Sequence, residues 1–471
     1  MHDVVLRNGL VVTPHGELLG GVAIDGERIT AVGVDAALGD GRRTIDLRGR
    51  IALPGLFDPH IHFGAGDNVG DEAMAEDFAH DTRDCLVGGV TTIATTPMLG
   101  PEPLPVYVRN ARHAADGRSW CDYKVTSIVT MREHIASIPA AVREGVVSFK
   151  FFSGYAGEQA ELFGMGKDGI PPDMFYEACE VLARCGRPAF AAIHAEDPHV
   201  RGLNVDRLRK SGRTDLLVAW AESTPEWAEA VQIFTYGSIA RELGVPLYTV
   251  HISTGYTVDV LDHLLAQGFD IVAETVSSFL ATTADEMEAR HFGAKAKIQP
   301  PIRFARDKER LWRGIRSGTI RTIGTDSMPY SSVFKDDADF WSCRVGLNLQ
   351  MADSLPLLWD EGINRGRIDL CTLARITSEN AARMYGIYPK KGALVAGADA
   401  DIVIVDPDRT VKLGVWRMRS RADYSLWDGR EVKGLPVMTL LRGELVMEDG
   451  EIVAERPRGR FVEQVRKPAG V

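Results

Sequence analysis

Asp58-Pro59-His60-Ile61-His62 follows directly on the apolar run Ile51-Ala52-Leu53-Pro54-Gly55-Leu56-Phe57. Residues two apart on a strand face the same way, so His60 and His62 present two imidazoles to one point, the start of a metal site. A lone His-x-His is more often a polar strand ending, so the reading depends on what else the chain brings to that place. Lys150 closes the apolar run Val146-Val147-Ser148-Phe149, and His194 ends Phe190-Ala191-Ala192-Ile193. His251 follows Tyr248-Thr249-Val250, and Asp326 follows Ile323-Gly324-Thr325. Singly, each has an ordinary structural explanation: a buried His bonded to backbone, a Lys reaching out at a rim, an Asp capping a helix. All six at equivalent strand ends are much harder to assign to packing.

Four neutral imidazoles and a carboxylate can hold one or two divalent transition ions, but a lysine ammonium has no lone pair to offer. Carbon dioxide adds to an unprotonated amine to give an anionic carbamate whose two oxygens can bridge a pair of cations. Burial near metals favours the neutral amine that this needs.

The elements that must position these groups fall into three parts. From Val4 to about Leu53, short β-rich runs alternate with turns, as in Val4-Val5-Leu6-Arg7 before Asn8-Gly9 and Gly21-Val22-Ala23-Ile24 before Asp25-Gly26. The same texture returns in Ala400 to Val405 and in a hairpin from Thr439 to Gly450. Residues 1–53 and 387–471 are therefore expected to form one composite β-sandwich domain. Residues 54–386 repeat apolar strand, loop and amphipathic helix, the pattern of a parallel α/β structure. Strands are expected at Val90–Ala94, Val125–Val129, Val146–Phe151, Pro188–Ile193, Leu247–Val250, Asp270–Ala273 and Arg321–Gly324, with helices at Ala228–Leu243 and Val258–Gln267 between some of them. With the His60 strand this gives a (β/α)8 TIM barrel, whose chemistry lies at the C-terminal ends of its strands.

Composition narrows the class. In 471 residues, 45% are hydrophobic and 25% charged, ordinary globular material for a large domain and a smaller one. The net charge of -11, with both signs interspersed, offers no basic stripe for nucleic acid. No window approaches the ~18 consecutive apolar residues of a membrane span, and the N-terminus reads as a strand, so a cytoplasmic protein is expected. Six cysteines (Cys85, Cys121, Cys179, Cys185, Cys343, Cys371) form no Cys-x-x-Cys pair, which suits reduced thiols and argues against thiolate-held zinc.

His60-Ile61-His62, Ser148-Phe149-Lys150, His194-Ala195-Glu196, His251-Ile252-Ser253 and Thr325-Asp326 resemble the metal-binding signature of the amidohydrolase superfamily, in its branch of hydantoinases, dihydropyrimidinases, allantoinases and dihydroorotases. Thr377–Gly386, Pro389–Gly392, Gly397–Val403, Gly429–Gly434 and Gly459–Val462 extend the resemblance over nearly the whole chain. It implies two divalent ions, most often Zn²⁺, bridged by N6-carboxylated Lys150 and a hydroxide. His60, His62 and Asp326 would hold the more buried ion, and His194 and His251 the more exposed one. Two cations make hydroxide available near neutral pH and polarise the amide carbonyl. Asp326 would move the proton to the leaving nitrogen. Tyr155, five residues past Lys150, matches the tyrosine that stabilises the oxyanion. The implied reaction opens a cyclic amide or imide; dimers or tetramers are common among such relatives.

Departures from the pattern bear on substrate. Gly64 stands where dihydroorotase-like chains carry a carboxylate-binding Arg, and Ser327 stands where hydantoinase-like chains have His. Gln299 replaces the customary serine before Pro300-Pro301-Ile302-Arg303, and Gly346–Asp353 replaces a Gly- and Pro-containing ring-binding loop. Tyr155, Gln299, Phe63 and Phe152 are the expected substrate contacts, with Phe163 and Phe279 as further mouth aromatics suiting an apolar substituent. The rewritten loop keeps a linear amide or ureido substrate open, and a non-catalytic dihydropyrimidinase-like assembly protein is the alternative of another class.

Overall fold

The computed structural model describes all residues except 14, 15, 67, 98, 99, 163, 336–338, 349, 350 and 466–471, and all side chains of the rest except 159 and 162. Five strands open the chain: β1 (His2–Thr13), β2 (Gly16–Asp25), β3 (Arg28–Gly33), β4 (Gly41–Asp46) and β5 (Ile51–Pro54). Eight follow: β6 (Leu56–Ile61), β7 (Val90–Thr95), β8 (Asp122–Ile128), β9 (Ser148–Phe152), β10 (Phe190–His194), β11 (Leu247–Thr249), β12 (Ile271–Val276) and β13 (Ile320–Gly324). Four close it: β14 (Ile402–Lys412), β15 (Glu431–Leu441), β16 (Glu444–Glu448) and β17 (Glu451–Ile452).

β6 to β13 pair in parallel and in sequence order, with helices in the connections, the nearly closed barrel that alternating strand and helix patterning implies. β6, β7, β8, β9 and β10 are buried along their whole length, as strands covered on both faces must be. The seam is closed just past β13, where Asp326 N donates to His60 O (2.9 Å) and His62 N to Ser327 O (2.8 Å). The outer helices carry local stop and start signals. The helix Ala305–Ser317 buries Leu311, Trp312 and Ile315 on one side and ends at Gly318 in the left-handed region (φ 79°). Thr283 and Glu286 form a capping box that starts the helix Ala284–Ala289.

The chain ends build a second sheet of nine strands, ordered β17-β16-β15-β14-β5-β1-β2-β3 with β4 on β1. Antiparallel pairing dominates; β1 pairs in parallel with β4 through its first half and with β5 through its second, across a bulge between Leu6 and Gly9. Val22 and Ile24 from one chain end share a core with Ile402, Ile404 and Leu440 from the other. The joint between sheet and barrel is ionic: Lys391 Nζ lies 2.5, 3.0 and 2.6 Å from Asp122, Asp399 and Asp401, and Arg442 also pairs with Asp122. Asp122 begins β8, so this joint is at the strand beginnings, the end away from the histidines. Among the described residues no helix is long and apolar enough to cross a membrane.

Candidate metal centre

The six residues singled out from sequence line one cavity of about 480 Å³ at the C-terminal ends of the barrel strands. His60 is in β6, Lys150 in β9 and His194 at the end of β10. His62 lies one residue past β6, and His251 and Asp326 two past β11 and β13. His251 (φ 42°) and Asp326 (φ 53°) take the left-handed backbone conformation, rare outside glycine, which turns each side chain inward at its strand end.

Hydrogen bonds fix which nitrogen of each ring faces the cavity. His60 Nδ1 lies 2.9 Å from Glu274 Oε1, a carboxylate oxygen that accepts its proton and leaves Nε2 bare. Thr96 donates its only hydroxyl proton to Ile61 O (2.9 Å), so it accepts from His62 Nδ1 at 2.6 Å and again leaves Nε2 bare. His194 Nε2 gives its proton to Glu196 Oε2 (3.1 Å), leaving Nδ1. The Nε2 atoms of His60 and His62 then face each other 3.2 Å apart with lone pairs opposed. Asp326 Oδ1 lies 3.2 and 3.1 Å from the two. Lys150 Nζ is 3.3 Å from His60 Nε2, and His251 Nδ1 is buried with no hydrogen-bond partner.

Converging lone pairs and a carboxylate repel one another unless a cation lies among them, and His60, His62 and Asp326 are spaced to share one. Burial, reinforced by the Lys150 charge, holds His60 well below the usual imidazole range; burial and the neighbouring His194 do the same to His251. Neutral imidazole is the form that ligates metals. Burial also lowers Lys150 to about 8, against the pull of Asp326 and Glu274. The donor set fits divalent metal. A second acidic trio, Asp122, Asp399 and Asp401, does not compete, because the Lys391 ammonium already sits within 3.0 Å of each.

Tyr155 packs its ring 5.0 Å from that of His194, and Phe152 lies 5.6 Å from Tyr155, both on the cavity wall. Burial keeps the Tyr155 phenol far above its usual value, so it is a donor throughout the working pH range. Gln299 is on the same wall, with Met328, Val345 and Gly346 closing the cavity. Phe63 corrects the expectation for it: its ring packs edge-on to Phe78 (5.1 Å) in the core, 1% exposed, and is not on the cavity wall. Phe279 is likewise core, and Phe163 lies outside the described residues. So do Leu349 and Gln350 of the rewritten loop, whose Leu347 accepts from Met328 N (2.9 Å).

Profile matching assigns residues 51–446 to the amidohydrolase family. The chain belongs to that family. It is similar over nearly its full length to L-hydantoinase of Paenarthrobacter aurescens, 29% identical over 466 residues covering 98% of each chain. D-phenylhydantoinase of Escherichia coli O1:K1 / APEC is 30% identical over 484 residues, covering 99% of this chain and 98% of that one. The crystal structure of dihydropyrimidinase from Brevibacillus agri NCHU1002 superimposes with a TM-score of 0.87 at 27% identity, over 99% of this chain and 100% of the other.

Several residues of this amidohydrolase that shape the site carry no local signal. Glu274 accepts from His60 Nδ1, from Tyr248 Oη and from His251 N, joining β6, β11 and β12 under the cavity. A charge inside Ile271–Val276 was its one visible mark. Asp58 accepts from Thr325 N (3.2 Å) and Thr325 Oγ1 (2.6 Å), pinning β13 to β6 beside Asp326. Gly64 has φ 69° and donates to Asp77 Oδ2 (2.6 Å), and a Cβ there would lie 3.0 Å from Gly70 O, so an arginine does not fit. Gly154 is needed for space: a Cβ would lie 2.5 Å from His194 Nε2.

Proposed function

We propose that this protein hydrolyses the C–N bond of a cyclic amide or imide, a hydantoin, dihydropyrimidine or related five- or six-membered ring, with two divalent metal ions, Zn²⁺ by preference. The observation that carries the reading is the inward convergence of bare imidazole nitrogens, Lys150 and Asp326 on one buried point. His60, His62 and Asp326 would hold one ion, His194 and His251 the other, with Lys150 bridging as its N6-carbamate. When bound, the ions supply hydroxide from water near neutral pH and polarise the amide carbonyl.

The chain's own groups do the rest. Asp326 Oδ1, facing the metal point, takes the proton of the attacking water and returns it to the leaving nitrogen. Tyr155 Oη donates to the oxygen that becomes negative, where a fixed donor in a dry site stabilises charge more than water does. Phe152, Met328 and Val345 exclude solvent and suit an apolar ring substituent. The barrel at 54–386 carries these groups, the segments 1–53 and 387–471 brace it, and the chain works as a dimer or tetramer.

Linear-amide hydrolysis and a non-catalytic assembly role are not favoured: the chain keeps every ligand position, and the relatives named above are hydantoinases and a dihydropyrimidinase. A panel of hydantoin, 5-phenylhydantoin, dihydrouracil, succinimide, allantoin and linear N-carbamoyl compounds tests the reading. Ring opening of a cyclic member with slower attack on every linear one is expected; the reverse order would refute it.

A further inference from the structure

Gln299 has its side-chain orientation fixed by two ions. Arg201 Nη1, which can only donate, lies 2.5 Å from Oε1, and Glu196 Oε2 accepts from Nε2 at 2.9 Å. The amide cannot be turned over without setting donor against donor and acceptor against acceptor. Arg201 is anchored in turn: it rises from the helix Pro198–Lys210, donates from Nη2 to Gly154 O (2.9 Å) and lies 5.9 Å from the centre of the Tyr155 ring. Arg201 and Gln299 are each 4% exposed and Glu196 is fully buried.

An amide nitrogen carries two protons, and Glu196 takes one. The second belongs to a side chain that lines the metal cavity among Phe152, Met328 and Val345, groups with nothing to accept it. A buried N–H facing apolar walls is costly until an acceptor arrives, and a carbonyl oxygen is what a cyclic imide brings. Resting on the function proposed above, we infer that Gln299 Nε2 donates to the ring carbonyl that is not attacked, with Arg201 as the positioning residue that holds the amide donor-side inward. Tyr155 and the metals serve the attacked carbonyl; Gln299 serves the other. The preferred substrate class is thus a ring imide with two carbonyls flanking nitrogen, over a lactam with one. If the amide were free to turn, Oε1 would meet the substrate oxygen and repel it, so the Arg201 contact also selects against the wrong orientation.

Steady-state kinetics of the metal-loaded protein with hydantoin and dihydrouracil, for wild type, Q299A, R201M and the double variant, test this. A contact made equally in ground and transition states appears in KM alone. Q299A should raise KM about tenfold, the worth of one hydrogen bond to a buried group, with kcat within about twofold. R201M should raise KM similarly, and the double variant should be no worse than the poorer single, because both changes remove one contact. Metal content should stay unchanged in all. An unchanged KM in Q299A, a loss in kcat alone, or multiplying effects in the double variant would overturn the inference. If R201M does not fold, Q299A decides it. Wild-type protein that opens neither ring would refute the functional reading itself, whereas ring opening indifferent to Q299A refutes only the role given to Gln299.

Discussion

Glu274 Oε1 lies 2.9 Å from His60 Nδ1 and accepts from His251 N at 3.0 Å, so one buried carboxylate orients a residue from each half of the metal site. Removing such a partner from a ligating imidazole weakens metal binding about 10–100-fold. Glu274→Gln should show that loss in a competitive chelator titration while the far-ultraviolet circular dichroism spectrum stays as in wild type. Wild-type metal affinity in the variant would mean that Glu274 is a packing residue only.

Tyr155 stands on the cavity wall with its ring against His194 and is held protonated by burial. Tyr155→Phe should lower kcat by about 10²–10³, the usual cost of losing one oxyanion donor, without changing metal content. Equal turnover in the two proteins would remove Tyr155 from the mechanism.

Lys391 neutralises three buried aspartates where barrel and sheet meet. Lys391→Met leaves those carboxylates without their shared cation, a change of about 3–5 kcal/mol against folding. Denaturant unfolding should show that loss. A variant as stable as wild type would mean that Arg442 alone suffices there.

Lys335 Nζ donates to Lys297 O (3.1 Å) and Arg344 O (2.8 Å), carbonyls of the strands of chain that flank the mouth. Burial pushes its ammonium down to about 7, against Cys343 and with help from Lys297. From there up to the ordinary lysine value of about 10.5 the unfolded chain binds more protons than the folded one. This group's contribution to stability therefore rises with pH through that window, and the cost of burying the charge is full below it. The Tm of Lys335→Met minus that of wild type should be more positive near about pH 6.5 than near about pH 10. A difference independent of pH would place the Lys335 charge in solvent.

The ligand set was legible because histidine, lysine and aspartate are conspicuous after apolar β-runs, and because barrel geometry says where strand ends meet. Positions that depend on partners far away in sequence were not. β8 begins at Asp122, three residues before the apolar run that marks it, because Asp122 is neutralised by Lys391 and Arg442, and Lys124 donates to Gly145 O and Val462 O at 2.9 Å. β12 runs past Ala273 through Glu274 for the same reason, its charge being satisfied from β6 and β11. The wedge of Arg201, Gln299 and Glu196 joins residues 98 and 103 positions apart, which no local pattern reveals. Phe63 was misplaced because the chain turns at Gly64, sending the aromatic ring inward to Phe78.

The account rests most directly on metal-dependent ring opening, and metal analysis with turnover on the same sample measures it. Purified protein should carry about two equivalents of divalent metal per chain, open a hydantoin or dihydropyrimidine ring, lose that activity on chelation and regain it with Zn²⁺ or a similar ion. Ring opening undiminished in metal-free protein, or fully loaded protein that opens no cyclic amide, would contradict it.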